Sequence, residues 1–168
     1  MDIFVERIVK KKKGLKEYLK AVVIVLAAII LAMSATAYLF PEGIVIIVYV
    51  VIVYGAKYLL SNLNVEYEYS LTNGDIDIDK IINQKKRKHL YSTTCKDIEI
   101  MAKISSSEYN QSIVKAPLTI KSVSSMESPD VYFAIVNSNG KKVTVYLEPD
   151  ERMLRNLKTM LGRRLVVD

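Results

Sequence analysis

The pattern of apolar and polar residues divides the chain into two parts. Residues 21–41 include no charged residue, and a second apolar run at 43–60 holds one charge, Lys57. An α-helix rises about 1.5 Å per residue, so twenty residues span about 30 Å, the hydrocarbon thickness of a bilayer. Pro41-Glu42-Gly43 between the runs is typical of a turn. The pattern predicts two transmembrane helices, about 21–40 and 43–60, joined as a hairpin.

Three other interpretations of the apolar runs are weaker. Ala35-Thr36-Ala37 has the form of a signal-peptide cleavage site, but the apolar core of a signal peptide is only about 7–15 residues long. Residues 61–168 are too few to cover both runs as buried helices of a soluble protein. The β-branched residues of the second run favour a strand, but an open strand in lipid leaves its backbone unpaired. We therefore expect a retained helical anchor.

After the second run the period of the pattern becomes two, which is typical of strands. Residues 65–71 and 75–79 alternate apolar with polar side chains, and Asn73-Gly74 between them is a strong hairpin signal. A two-residue loop places Leu71 opposite Ile76 and Tyr69 opposite Ile78. One face of the predicted hairpin is therefore apolar. The other carries four carboxylates: Glu66, Glu68, Asp77 and Asp79.

The rest of the chain predicts further strands and one helix. The predicted strands are 85–93, 97–104, 118–123, 131–136 and 141–147, with a polar loop at 105–116 and turns at 124–130 and 137–140. A helix is predicted at 150–161, with Asp150 as its N-cap and Gly162 as its stop. Its apolar residues recur at helical spacing and form one stripe: Met153, Leu154, Leu157, Met160 and Leu161.

The distribution of charge predicts the orientation of the anchor. The net charge of the chain is +6, of which +4 lies in residues 1–60 and +2 in residues 61–168. Basic residues flank the predicted helices, whereas the turn between the helices holds only Glu42, so both termini are predicted to be cytoplasmic. Four aromatic residues near the expected interfaces agree with this placement: Tyr18, Tyr38, Phe40 and Tyr58. A nucleic-acid reader would carry its basic excess in the folded domain, which disfavours that class.

The first twenty residues form a basic, partly amphipathic segment, predicted to be cytoplasmic. Its apolar residues Ile3, Phe4, Ile8 and Leu15 are expected on the membrane surface, with the lysines against anionic head groups. Lipid recognition is one interpretation of those lysines, and a simple topology signal is the other. Within the hairpin, small residues Ala28, Ala32 and Ala35 are expected to bring the two helices close together.

A second basic cluster at 85–88 also has two interpretations. It could neutralise the carboxylates of the predicted hairpin if the next strand pairs alongside, or it could contact anionic lipid. The candidate lipid contacts of the chain are Lys10, Lys11, Lys12, Lys13, Lys85, Lys86, Arg87 and Lys88.

The residues that usually carry chemistry are sparse. One cysteine, Cys95, and one histidine, His89, cannot form a four-ligand Cys/His zinc site in a single chain, and no orienting partner for a Cys/His nucleophile is evident. The spacing of Asp75, Asp77 and Asp79 fails the EF-hand pattern, because its Gly and Glu positions hold Lys80 and Lys86. The glycines are scattered singly and cradle no phosphate. We expect no catalytic residue, no metal site and no cofactor.

The strand order, capped by a C-terminal helix, resembles a pleckstrin-homology-like (PH-like) domain. VEYEYSLTNGDIDIDK, residues 65–80, is similar to the first strand of bacterial PH-like domains that follow two membrane helices. The whole chain resembles a family of small bacterial membrane proteins, domain of unknown function 6106. The stretches that carry the resemblance are MDIFVERIVKKKK, NVEYEYSLTNGDIDIDKI, VYFAIVNSNG and LEPDERML. The resemblance implies an architecture and a membrane location but no activity.

These observations predict an α+β membrane protein. Its parts are the basic segment 1–20, the transmembrane hairpin 21–60, and a cytoplasmic PH-like antiparallel β-barrel or curved sheet at 61–168. The expected function is that of a membrane-anchored interaction or scaffold protein and not an enzyme, with no nucleic-acid partner. Its expected partners are the bilayer, anionic head groups, another membrane protein or a second copy. Two alternatives stay open: an accessory subunit of a transport or secretion complex, and an anionic-lipid-sensing module.

Overall fold

The computed structural model describes residues 3–38, 42–109, 118–138 and 140–166. They form two compact units. The helical unit is residues 12–65, and the β unit combines the residues up to Lys11 with those from Glu66 onward. The helical unit is therefore an insertion in the sequence of the β unit.

The helical unit contains α1, Leu15–Tyr38, and α2, Glu42–Ser61. α1 begins six residues before the predicted start, because Glu17 accepts a hydrogen bond from the Gly14 N–H at 3.0 Å and so caps the first turn. The predicted turn residue Pro41 and the aromatic residue Phe40 lie outside the described residues. α2 lies within one residue of its predicted bounds at each end.

The two helices pack along a stripe of small and branched residues. Ala35 is only 2% exposed, and Ala28 and Ala32 on the same stripe are half-buried. This agrees with the predicted close-approach face. Elsewhere the apolar residues point outward: of the described side chains of the two helices, only Ala35 is buried. Both helices are long and apolar enough to cross a membrane, and their exposure is unlike that of a core helix in a soluble protein.

The first sheet of the β unit has the order β1-β2-β3-β4. Its strands are β1 Phe4–Lys10, β2 Val65–Thr72, β3 Asp75–Ile82 and β4 Lys86–Thr94. The predicted Asn73-Gly74 turn joins β2 to β3, with both residues at positive φ. The four predicted inward-facing residues of this hairpin are all buried: Tyr69, Leu71, Ile76 and Ile78.

Within the predicted basic segment, residues 4–10 form a strand that the sequence pattern did not predict. They pair antiparallel with β2, so that Phe4 lies opposite Thr72 and Lys10 opposite Glu66. Val5 and Val9 are 3% and 5% exposed, whereas the predicted surface-binding residues Phe4 and Ile8 lie on the exposed face. Apolar residues four positions apart share a face in a helix and also in a strand, so the pattern could not distinguish them. The pairing with β2 shows that residues 4–10 form a strand.

The second sheet has the order β6-β8-β7-β5-β9. Its strands are β5 Ile98–Lys103, β6 Leu118–Lys121, β7 Tyr132–Ser138, β8 Lys141–Leu147 and β9 Leu165–Val166. β6 pairs parallel with β8, and β9 pairs parallel with β5. We predicted an antiparallel β-barrel or curved sheet. The described residues instead form two sheets that are not closed into a barrel, and the second sheet is mixed. Hairpin signals report pairing between chain neighbours and miss these long-range parallel pairs.

The C-terminal helix α3 spans Glu151–Leu161, as predicted to within one residue. Asp150 is its N-cap and accepts a hydrogen bond from the Met153 N–H at 2.8 Å. Gly162, at φ 59°, follows its last residue. Met153, Leu157 and Leu161 are buried, so the predicted apolar stripe faces the β unit.

Tyr69 of β2 connects the first sheet to residues of the second. Its hydroxyl donates to the Ser122 carbonyl, just after β6, and accepts from the Glu148 N–H, just after β8, at 3.3 Å. Burial raises the pKa of this phenol well above its usual range. A buried hydroxyl with both partners satisfied favours one relative placement of these strands.

Candidate functional site

The basic residues of the first sheet gather at one of its ends. The strands alternate in direction, so this end of the sheet contains the last residues of β1 and β3 and the first residues of β2 and β4. Asn83 and Gln84 turn the chain there, both at positive φ, and the Lys85 N–H donates to the Ile82 carbonyl at 3.1 Å. We call this end, with Lys10 and Lys85–Lys88, the basic sheet end.

The cluster at 85–88 is divided between the two faces of β4. Arg87 points to the acidic face, where its guanidinium lies 2.5 Å from Glu68 and 3.8 Å from Asp79. Alternation along the strand directs Lys86 and Lys88 to the opposite face. The predicted neutralisation of the acidic strands is thus confirmed for Arg87.

A β-bulge extends the polar contacts of that face. Ile78 pairs with Tyr91 and Asp79 with His89, which leaves Leu90 without an opposite residue. The extra residue brings His89 and Ser92, three positions apart, onto the same face, which regular alternation would forbid. The sequence shows no signal for this bulge.

Four side chains across the bulge form a hydrogen-bonded row. His89 Nδ1 lies 2.9 Å from Asp79 Oδ1, and His89 Nε2 lies 3.0 Å from Ser92 Oγ. Ser92 in turn donates to Asp77. The contacts have the order of a nucleophile–base–acid row, but Ser92 has one hydroxyl proton and also contacts the Asp77 carboxylate, which can only accept. The row joins β3 to β4 as a polar clamp.

The lysines at the end of β1 are exposed, as a lipid contact requires. Lys10 lies 3.7 Å from Glu66, yet 78% of its side chain is accessible. Lys11, Lys12 and Lys13 follow in the four-residue connection between β1 and α1, and all three are exposed. Lys85, Lys86, Arg87 and Lys88 are exposed as well.

Cys95 and His89 have different partners. Cys95 is buried, and its Sγ lies 3.9 Å from Met160 Sδ. Burial raises the pKa of the thiol to about 11, which keeps it protonated near neutral pH. Among the described residues, no three His, Cys, Asp or Glu side chains are grouped so that they could hold a metal ion.

A polar cleft of about 430 Å³ lies elsewhere in the β unit, beside the first turn of α3. It mixes basic and acidic side chains, with Arg7 and Lys103 against Asp130 and Glu148. Glu148 also accepts a hydrogen bond from the Ser124 hydroxyl at 2.9 Å. Because both signs of charge line it, the cleft selects no single class of ligand.

These features define an α+β protein in which two β-sheets and a terminal helix form one unit and two apolar helices are inserted between its first two strands. The chain belongs to the bacterial PH-like domain family DUF6106, whose model matches residues 1–167. No curated protein and no solved structure matches the chain.

Proposed function

We propose that this protein is a membrane-anchored interaction or scaffold protein that holds its PH-like domain against the cytoplasmic face of the cell membrane. The observation that carries the proposal is the insertion of the apolar hairpin between two neighbouring strands, β1 and β2. Both ends of the hairpin therefore connect to one edge of the first sheet.

The helices support the anchoring part of the proposal. Their apolar side chains are exposed along almost their whole length, which water disfavours and lipid accepts. Lysines precede α1 and one lies near the end of α2, whereas the sequence between the helices, residues 39–41, contains no basic residue. By the positive-inside rule, this distribution of charge favours a cytoplasmic location for both termini and for the β unit.

The connections support the scaffold part. Four residues, 11–14, join β1 to α1, and three residues, 62–64, join α2 to β2. A four-residue connection reaches at most about 14 Å. Lys10 pairs with Glu66, so the two connections leave from adjacent strands. A single linker would tether the domain at one point of its sequence, whereas these two short connections tether it at two points, which supports a scaffold that stays at the membrane.

The basic sheet end gives the anchored domain a lipid contact. Lys85 and Lys88 are exposed there, on the same end of the sheet from which the connections leave. Attachment to the bilayer raises the effective concentration of head groups, so weak electrostatic contacts suffice. Arg87 takes a smaller part, because it is already bound to Glu68 and Asp79.

Hydrogen exchange of the full chain in nanodiscs tests this contact. Residues 82–88 are expected to exchange more slowly in discs that contain phosphatidylglycerol than in discs of phosphatidylcholine alone. Lys85→Gln with Lys88→Gln removes the difference, whereas Lys121→Gln with Lys141→Gln, equally exposed on the second sheet, retains it. Equal exchange in both lipids, or an unchanged difference in the first variant, refutes the lipid contact and leaves the anchored scaffold standing.

An accessory subunit of a transport or secretion complex is the second candidate. It is favoured by the exposed apolar surface of the hairpin, which fits a larger membrane protein as well as lipid. Affinity purification in mild detergent separates the two functions. A stoichiometric partner that residues 12–65 alone retain supports the subunit, and a partner that requires the β unit supports the scaffold.

A further inference from the structure

The helical unit contains a long groove that the packing of its helices leaves open. The groove has a volume of about 790 Å³, within the usual range for small-molecule sites. Its walls are apolar and come from both helices: Val25, Ala28, Ile29, Ile52, Val53 and Ala56. Small side chains at Ala28 and Ala56 make the space, because a larger side chain at either position would fill it.

One end of the groove is polar and basic. Lys13 from the start of the unit and Lys57 from the last turns of α2 both line it, together with the Ser61 hydroxyl and the Asn64 amide. These four residues supply the kinds of donor that a phosphate ester takes: two ammonium groups, a hydroxyl and an amide. The long stems of the lysines let their charges reach the head-group level while their methylenes stay in the apolar region.

The length of the groove matches one leaflet of a bilayer. Tyr49 lines its inner part and Ser61 its polar end, and twelve residues of helix span about 18 Å. Half of the hydrocarbon core of a bilayer is about 15 Å. An acyl chain that starts at the lysines therefore ends near Tyr49.

We propose that this groove binds an anionic phospholipid of the leaflet nearest Lys13 and Lys57, with its phosphate on the lysines and one acyl chain between α1 and α2. Apolar walls alone would accept any lipid, and the paired ammonium groups select a negative head group. The site uses neither Lys85 nor Lys88 and is therefore independent of the basic sheet end, but it rests on the proposed insertion of the two helices in the membrane.

Native mass spectrometry of the full chain, released from nanodiscs of mixed phosphatidylglycerol and phosphatidylcholine, tests the site. One phosphatidylglycerol molecule is expected to stay bound in preference to phosphatidylcholine. Lys13→Gln with Lys57→Gln lowers that preference about tenfold or more. The control Lys20→Gln removes an exposed lysine that does not line the groove, and it leaves the preference unchanged.

A second pair of variants tests the apolar part of the groove. Ala28→Leu fills the groove and is expected to reduce the amount of retained lipid, whereas Ala27→Leu, on the exposed side of the same helix, leaves it unchanged. Circular dichroism confirms equal helix content in both. The proposal is overturned if the unmodified chain retains the two lipids equally or if the double glutamine variant keeps the preference. It is also overturned if a second copy of the chain replaces the bound lipid in a dimer.

Discussion

The two units bury the same kinds of residue in opposite ways. In the β unit, Tyr69, Phe133 and Leu157 are fully inside, whereas in the helical unit Val23 and Ile46 are more than 60% exposed. Water drives the first arrangement and disfavours the second, whose helices are long and apolar enough to cross a membrane. The comparison shows that an apolar residue type alone does not predict whether its side chain is buried or exposed. The environment around each unit, water or lipid, has to be inferred first.

The border between the units does not coincide with the start of the apolar helices. The chain enters the β unit as β1, leaves it for the helical unit, and returns as β2. The β unit is therefore built from two separated stretches of sequence. Loss of the first stretch exposes the side chains against which Val5 and Val9 pack.

A charge on the buried face of β1 gives the largest expected effect. Val9→Asp places a carboxylate where the side chain is 5% exposed, and we expect it to cost about 3 kcal/mol or more in the free energy of unfolding of the β unit. The neighbouring change Ile8→Lys also introduces a charge, but on the exposed face and opposite Glu68, and it costs less than about 1 kcal/mol. Denaturant titration of the full chain in detergent, followed by hydrogen exchange of the β strands, compares them. Equal losses would mean that β1 is not part of the β unit.

The ion pair of the first sheet comes next. Arg87→Met leaves the Glu68 carboxylate, 6% exposed, without its guanidinium, and we expect a loss of about 1–3 kcal/mol. Lys142→Met breaks the contact with Glu99 at a similar distance, 2.7 Å, but both partners are exposed, so the loss stays below about 1 kcal/mol. The same titration measures both variants. A larger loss for Lys142→Met contradicts the burial argument.

Much of this architecture could be predicted from the sequence, and the failures have physical causes. The apolar runs, the Asn73-Gly74 hairpin and the Asp150 cap are local signals, each determined by a few adjacent residues, and the structure retains them. β1 was missed because its pairing with β2 spans more than fifty residues. The all-antiparallel pairing was not retained because β6/β8 and β5/β9 pair parallel across long connections, and the strands form two separate sheets that do not close into a barrel. At the site, the division of residues 85–88 between two faces depends on how β4 pairs with β3. The hydrogen-bonded row at His89 depends on the bulge at Leu90, and no local sequence pattern indicates that bulge.

The hydroxyl of Tyr69 is expected to have a smaller effect. Tyr69→Phe removes the bonds to the Ser122 carbonyl and the Glu148 N–H and costs about 1–2 kcal/mol, because both partners are left inside the protein. Tyr109→Phe loses one contact, 3.3 Å from the Tyr146 hydroxyl, in a partly buried place and costs less. Thermal unfolding of the two variants shows which substitution lowers the stability more. If Tyr109→Phe is the more damaging change, Tyr69 does not link the sheets.

The smallest expected effect concerns the rate at which Cys95 is alkylated and not the free energy of unfolding. Because burial raises the pKa of the Cys95 thiol to about 11, little thiolate is present at pH 8, and alkylation by iodoacetamide is expected to be slow in the native chain. In denaturant the reaction reaches the rate of a free thiol. Mass spectrometry of timed samples follows both. Equal rates in the two conditions would show that Cys95 is accessible in the native protein.

The central claim, that residues 4–10 complete a β unit interrupted by the helices, is tested most directly by removing the helices. In one protein a short Gly-Ser linker replaces residues 12–64, so that β1 and β2 become a hairpin; in the other, residues 61–168 stand alone. Denaturant unfolding in water compares their stability. We predict a cooperative transition for the joined protein and a lost or strongly destabilised one for the fragment. Equal stability of the two would contradict the claim.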